Sequence, residues 1–203
     1  MEPEESSRKA RMTADDQLIL ERVRIGEESA FAQLVEMYKE KIYYLALDLT
    51  GNQADAEDCS QEVFIKAYRS LGSFRGESKL SSWLYRITYN TCMDNRRNTQ
   101  FKMNEKSVVI EDQFDLPDPA VSPEDTLRSQ SEQKIIQTAI QKLSDRERAV
   151  FVMRHYQECK LGEIADALEI SEGTVKSLLF RAVRKLQKFL APEYPELARR
   201  QHE

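Results

Sequence analysis

The segment 160–188, KLGEIADALEISEGTVKSLLFRAVRKLQK, constrains the fold most, because it reads as two short helices joined by a tight turn. Leu161, Ile164, Ala165 and Leu168 fall at i, i+3, i+4 and i+7, one apolar stripe. Val175, Leu178, Leu179, Ala182 and Leu186 form the matching buried side of a second helix. Its opposite face presents Thr174, Ser177, Arg181, Arg184 and Lys188, and no acidic residue occurs between Gly173 and Pro192. This is the pattern of a helix-turn-helix whose second helix enters a DNA major groove N-terminus first. The short polar Thr174 and Ser177 suit base edges, and the later Arg181, Arg184 and Lys188 suit phosphates. A plain helical hairpin with a solvated basic face fits the same segment taken alone.

Charge decides whether a nucleic acid is a reasonable partner. The chain of 203 residues carries a net −5, but the balance is uneven. Residues 128–191 hold 12 Lys/Arg against 8 Asp/Glu, residues 15–98 hold 11 against 14, and residues 99–127 hold 2 against 7. Only the unit with the helix-turn-helix is basic. Six Gly and six Pro, with 32% charged residues, point to helix. No apolar run reaches the roughly 18 residues of a membrane span, and MEPEESSRKARM lacks the apolar centre of a signal peptide, so the expected location is cytoplasmic. Cys59, Cys92 and Cys159 lie far apart within helical patterns and read as buried thiols rather than a disulfide or zinc site. With two histidines, a histidine metal site has almost no material. The expectation is no metal and no cofactor.

The periodicity predicts an all-α chain of two small helical domains joined by a flexible acidic linker. Residues 1–14 read as disordered. Asp15 and Asp16 are placed to cap a short helix that stops before Gly26. Phe31, Leu34, Tyr38, Ile42, Leu45 and Leu49 mark a longer helix, ended by Gly51 and Asn52. Cys59, Val63, Ala67 and Leu71 mark a third, with Gly72 as its stop. Trp83, Leu84, Ile87 and Thr91 mark a fourth after a polar 73–79 loop. The first domain is thus 15–98. Periodicity vanishes over 99–127, where Pro117, Pro119 and Pro123 sit among acidic residues, a linker too long for an ordinary loop. Val108 to Ile110 is the one β-like run. The second domain, 128–191, includes Ile135, Ile136, Ala139, Ile140 and Leu143, and then Ser144 with Glu147 as a capping box. Residues 192–203 form a tail.

Three segments of the first domain carry chemistry. Helix DAEDCSQEVFIKAYRSL puts Asp55, Asp58 and Glu62 on one edge with Gln61 beside them. SFRGESKLSSWLYRITYN interleaves Phe74, Trp83, Tyr85 and Tyr89 with Arg75, Lys79 and Arg86, the composition single-stranded nucleic acid needs for stacking and phosphate pairing. Core packing is the competing role for Trp83. NTCMDNRRN then brings Asn90, Arg96 and Arg97, where paired arginines suit either a helix C-terminus or a phosphate backbone.

Together, DAEDCSQEVFIKAYRSL, FRGESKLSSWLYRI and EIADALEISEGTVKSLLFRA resemble bacterial RNA polymerase sigma factors of the extracytoplasmic-function group, in the right order and over nearly all of 15–190. The resemblance implies a promoter-recognition subunit rather than an enzyme, with no small-molecule substrate. Asp55, Asp58, Gln61 and Glu62 would meet the β′ coiled coil of core polymerase, the β subunit being the other core partner. Phe74, Arg75, Lys79 and Asn90 would read and open the downstream promoter element, with a flipped base held near the 73–79 loop and Arg96 and Arg97 on its backbone. Thr174, Lys176, Ser177, Arg181 and Arg184 would read the upstream duplex. The acidic linker would mimic nucleic acid inside the polymerase, and an anti-sigma factor would hold the protein inactive.

The chain departs from the pattern at several points. Relatives often carry Gly where this chain has Glu169, Arg where it has Leu178 and Val183, and Trp where it has Tyr68. Duplex contacts then fall on Arg181, Arg184 and Lys185. A stand-alone dimeric helix-turn-helix regulator would have no use for the acidic edge or the aromatic–basic segment. A protein-binding helical adaptor would have no use for a recognition helix of one sign. No Gly-rich phosphate loop and no nucleophile–histidine pair supports an enzyme.

Overall fold

The computed structural model describes residues 14–76, 78–105 and 123–195, and among them every regular element is helical. The first domain comprises α1 (Ala14–Arg24), α2 (Glu28–Thr50), α3 (Gln53–Ser70) and α4 (Leu80–Glu105), with a 3₁₀ turn at Leu71–Ser73. The second comprises α5 (Pro123–Gln141), α6 (Asp145–His155), α7 (Leu161–Leu168) and α8 (Glu172–Leu190).

The apolar stripes bury as their spacing requires. Ala30, Leu34, Tyr38, Ile42, Leu45 and Leu49 face inward from α2, and Ala56, Cys59, Val63 and Ala67 from α3. Leu80, Trp83, Leu84, Thr88, Thr91 and Cys92 complete the core from α4. Each Leu or Ile so buried stabilises by roughly 1.5–3 kcal/mol. The tight α2–α3 connection rests on Gly51, whose left-handed backbone (φ 74°) returns its N–H to the Leu47 carbonyl at 2.8 Å. Asn52 then caps α3 by accepting from the Asp55 N–H at 3.0 Å.

Several boundaries differ from those the periodicity predicts. α1 is already under way at Ala14, so Asp16 is no cap; it is buried and accepts from the Tyr38 hydroxyl at 3.2 Å. α4 runs on to Glu105, and α5 starts at Pro123, whose fixed φ and missing N–H suit a first helical turn. Helix thus enters both ends of the expected linker. Residues 106–122, with Val108 to Ile110, lie outside the described residues, as do 1–13 and 196–203.

In the second domain Glu147 accepts from the Ser144 N–H (3.1 Å), half of the expected capping box, and from the Ser144 hydroxyl (2.8 Å). Ile140, Leu143, Val150, Val152, Met153, Ile164, Val175, Leu178, Ala182 and Leu186 are buried. This core is continuous with that of the first domain, because α7 packs on α4 and α6 on α2. The two domains therefore lie directly against one another.

Candidate nucleic-acid and polymerase interfaces

The helix-turn-helix forms as the spacing predicts. Its turn begins at Glu169, a left-handed residue (φ 54°, ψ 45°) where a side chain costs roughly 1 kcal/mol relative to glycine. Ser171 caps α8 by accepting from the Thr174 N–H at 3.1 Å. Thr174 is half-buried there, with its hydroxyl 2.9 Å from that of Ser171. Lys176, Ser177, Arg181 and Arg184 are exposed on one face. Lys185 leaves that set, because its ammonium is 2.7 Å from the buried Glu147 carboxylate. Burial alone would raise the Glu147 carboxyl, but Lys185 and Ser144 together hold it below the ordinary carboxylate range. Phe180 was not among the expected contact residues, yet it is 63% exposed between Ser177 and Arg181, with the Arg184 guanidinium 5.5 Å from its ring centre. A large apolar side chain on an otherwise polar helix face was the available signal. Lys176, Ser177, Phe180 and Arg181 line one shallow hollow.

The aromatic–basic segment is arranged differently from a row of exposed stacking rings. Phe74 and Trp83 are each 6% exposed and pack at 5.0 Å between ring centres, and Tyr85 is buried as well. Alternation of aromatic and basic residues was legible in the sequence, whereas the sharing of one apolar interior was not. The Phe74 carbonyl accepts from Arg24 at 2.5 Å, which ties the loop to α1. What remains open is a cleft of about 340 Å³ lined by Ser73, Phe74, Arg75, Ser78, Trp83, Arg86 and, from α7, Asp166. It is polar at its mouth and aromatic at its base, a shape that suits one planar base with a neighbouring phosphate. Arg86, expected only as one of the basic residues of this segment, and Ser78 of the 73–79 loop reach the cleft wall through folding of the loop back over α4.

Three basic residues of the first domain, of which Arg86 lines this cleft, are engaged. Lys79 lies 2.5 Å from Glu163, Arg86 2.8 Å from Glu169, and Arg96 2.6 Å from Asp145. Each carboxylate comes from the second domain. Arg97 is exposed, 3.7 Å from Asp94, and Asn90 is exposed on α4.

On α3, Asp55, Asp58 and Gln61 are exposed, so the acidic edge is a continuous surface. Glu62 is half-buried; the hydrogen bond from Lys66 at 2.9 Å, with a further one from Asn95 at 3.2 Å, holds its carboxyl below the ordinary range. Tyr68, where relatives often carry Trp, is exposed and makes an edge contact with Phe31, 4.9 Å between ring centres. All three cysteines are buried. Among the described residues no helix is long and apolar enough to cross a membrane.

Comparison with known proteins agrees with this division. The sigma-70 region 2 family matches residues 34–101, and the sigma-70 region 4 family matches residues 133–186. The ECF RNA polymerase sigma factor SigW of Bacillus subtilis is 36% identical over 84% of this chain and 94% of its own length. The RNA polymerase sigma-H factor of Pseudomonas aeruginosa is 37% identical over 87% of this chain and 94% of its own. Two solved structures share the fold, each with a TM-score of 0.67. CnrH in complex with the cytosolic domain of CnrY is 22% identical and covers 88% of this chain and 98% of its own. The sigma factor RpoE in complex with the anti-sigma factor NepR from Bartonella quintana is 24% identical and covers 79% and 96%. A region 2 unit carrying an acidic α3 edge and a region 4 helix-turn-helix follow one another along a single chain, and by these matches the protein belongs to the extracytoplasmic-function family of RNA polymerase sigma factors.

Proposed function

We propose that this sigma factor divides promoter recognition between its two ends. The acidic edge of Asp55, Asp58, Gln61 and Glu62 docks the β′ subunit of core polymerase. The cleft formed by Phe74, Arg75 and Trp83, with Lys79 and Asn90 nearby, takes an unstacked base of the downstream element, and Arg96 and Arg97 hold its backbone. Thr174, Lys176, Ser177, Arg181 and Arg184 read the upstream duplex. The protein acts in the cytoplasm, as an initiation subunit rather than an enzyme. Since the RpoE structure of the same fold contains an anti-sigma factor, we extend control by such a protein to this chain.

One observation carries the reading: a helix-turn-helix whose outward face is of one sign lies on the same chain as a base-sized aromatic cleft with basic residues at its mouth. One helix-turn-helix without a dimer partner makes few phosphate contacts, and those are salt-sensitive. The cleft needs unpaired bases, which duplex exposes only when other contacts offset the opening cost. Core polymerase supplies those contacts and fixes the spacing of the two units. A mobility shift at about physiological salt should therefore show promoter binding only when core enzyme is added. Tight, specific binding by the chain alone, as a dimer on a palindrome, would mean a stand-alone regulator instead.

A further inference from the structure

Two of the three buried thiols face one another inside the first domain. Cys59 belongs to the inward side of α3 and Cys92 to that of α4, and the two helices pack together. Contacts on either side of the pair fix their register. One turn beyond Cys92, Asn95 donates from Nδ2 to the Cys59 Sγ at 3.4 Å and to the Glu62 carboxylate at 3.2 Å. One residue before Cys92, the buried Thr91 hydroxyl accepts from the Lys66 ammonium at 3.1 Å. Between these anchors the Cys92 thiol hydrogen-bonds to the Cys59 sulfur.

The two sulfurs are not equivalent. Cys59 accepts from Cys92 and from Asn95, which together hold its thiol below the ordinary range against burial and the carboxylates of Asp55 and Glu62. Cys92 has the opposite bias, its proton retained by the hydrogen bond to Cys59 and by burial. An acidified thiol beside a proton-retaining one is the pairing of a nucleophilic and a resolving cysteine. Cys159, in the second domain, is in a different state, because burial pushes its thiol up to about 12.

We infer that Cys59 and Cys92 form a peroxide-responsive pair whose disulfide disturbs the acidic edge of α3. The inference rests on the proposed role of that edge in docking core polymerase. A peroxide reaches Cys59 when the half-buried Asn95 side chain swings aside. The Cys59 thiolate attacks one peroxide oxygen, the O–O bond breaks, and the departing hydroxide takes up a proton and leaves as water. The Cys92 sulfur then attacks the sulfur of the Cys59 sulfenic acid, the S–O bond breaks, and the second oxygen leaves as water with the Cys92 proton. Two thiols lose two electrons, and one peroxide is reduced to two waters. The Cys59 sulfur is drawn towards α4 and no longer offers Asn95 a thiolate. Glu62 shares Asn95 with Cys59, so the change reaches the edge within one turn of α3.

The test treats the full reduced chain with a small excess of hydrogen peroxide, then alkylates and digests it. Peptides joined through Cys59 and Cys92 should appear while Cys159 is alkylated. Binding to core polymerase should fall about fivefold and recover with dithiothreitol. In Cys92→Ala the sulfenic acid has no resolving thiol, and dimedone should label Cys59. Cys59→Ala should show no label at Cys92 and should bind core equally before and after peroxide. Urea unfolding checks that both variants fold, and the mapping of the unmutated chain needs neither. Separate alkylation of Cys59 and Cys92 after peroxide overturns the pair. A disulfide that leaves core binding unchanged overturns the switch, and if Asp58→Lys is then also without effect, the assignment of the edge fails with it.

Discussion

Arg148 lies beneath the end of α2, its Nη1 donating to the Leu49 carbonyl at 2.9 Å across 99 positions of sequence. The same guanidinium donates to the carbonyls of Ile140, Gln141 and Leu143 at the end of α5. One cation thus serves two helix C-termini, where the backbone dipoles leave partial negative charge. Arg148 is only 1% exposed. Burial, with Arg96 nearby, lowers its pKa to about 10, so it remains charged at neutral pH.

Replacing Arg148 with Ala removes a donor from four helix-end carbonyls, of which only that of Ile140 keeps a backbone partner, the Leu143 N–H at 3.1 Å. Unfolding by urea should show a loss of about 3–5 kcal/mol. Arg148→Lys keeps the charge but lacks the planar fork, and should fall between the two. Equal stability of wild type and the Ala variant would show that water replaces the guanidinium at no cost.

Asp48 gives the fold a pH dependence of a definite sign. Burial raises its carboxyl from 3.8 to about 6, against the opposing hydrogen bond from Gln137 at 3.3 Å. A raised acid binds its proton more tightly when folded, so its contribution is complete below about pH 4 and lost as pH rises through about 6. The loss is on the order of 2–3 kcal/mol. Asp48→Asn should flatten this part of the stability profile and be the more stable protein at pH 7. Denaturation series from pH 4 to 8 on both proteins check it, and superimposable slopes would sink the assignment.

Arg181 stands exposed beside Phe180 on the recognition face. Arg181→Ala should weaken upstream-element binding by about 1–3 kcal/mol and relax preference at one position if it reads a base. If it meets only phosphate, the loss is uniform across sequences. Transcription from a promoter library with reconstituted holoenzyme separates the two outcomes, and a profile at full activity with unchanged preferences would remove Arg181 from the interface.

Asp58 is the cleaner probe of the acidic edge, since Glu62 also serves Lys66 and Asn95 inside the domain. Asp58→Lys should reduce co-purification with core polymerase severalfold at low salt while thermal unfolding changes by less than about 1 kcal/mol. Adding Glu62→Lys should weaken core binding further but also cost stability. Undiminished core binding by both variants would mark the edge as a solvated face.

Asn90 separates strand opening from duplex binding. Asn90→Ala in the holoenzyme should lower permanganate reactivity of promoter thymines while closed complexes persist. Parallel loss of both would give Asn90 a duplex-binding or structural role.

The helices were legible because their information is local. A stripe at i, i+3, i+4 and i+7 buries one face whatever the neighbour is, so Leu34 to Leu49 and Val175 to Leu186 read correctly from spacing alone. The one-signed face of α8 and the acidic edge of α3 were legible for the same reason, since each needs only its own helix to be displayed. Even the left-handed cap at Glu169 could be anticipated, though only from the glycine that the family resembled often carries at that position.

Partners distant along the chain were not. Arg148, within SDRERAVF, has the look of a surface cation, and only two converging helix ends make it interior. Phe74 and Trp83 look like stacking rings until the 73–79 loop folds over α4 and shares their surface. Lys79, Arg86 and Arg96 look available to phosphate until α7 and the start of α6 are brought against α4. Periodicity specifies which face of a helix turns inward, but not which other face it will meet. That choice is made by the fit of whole surfaces, where the orphan carbonyls of α2, the bare Cα of Gly51 and the side chains of Gln141 and Arg148 satisfy one another only once both domains have formed.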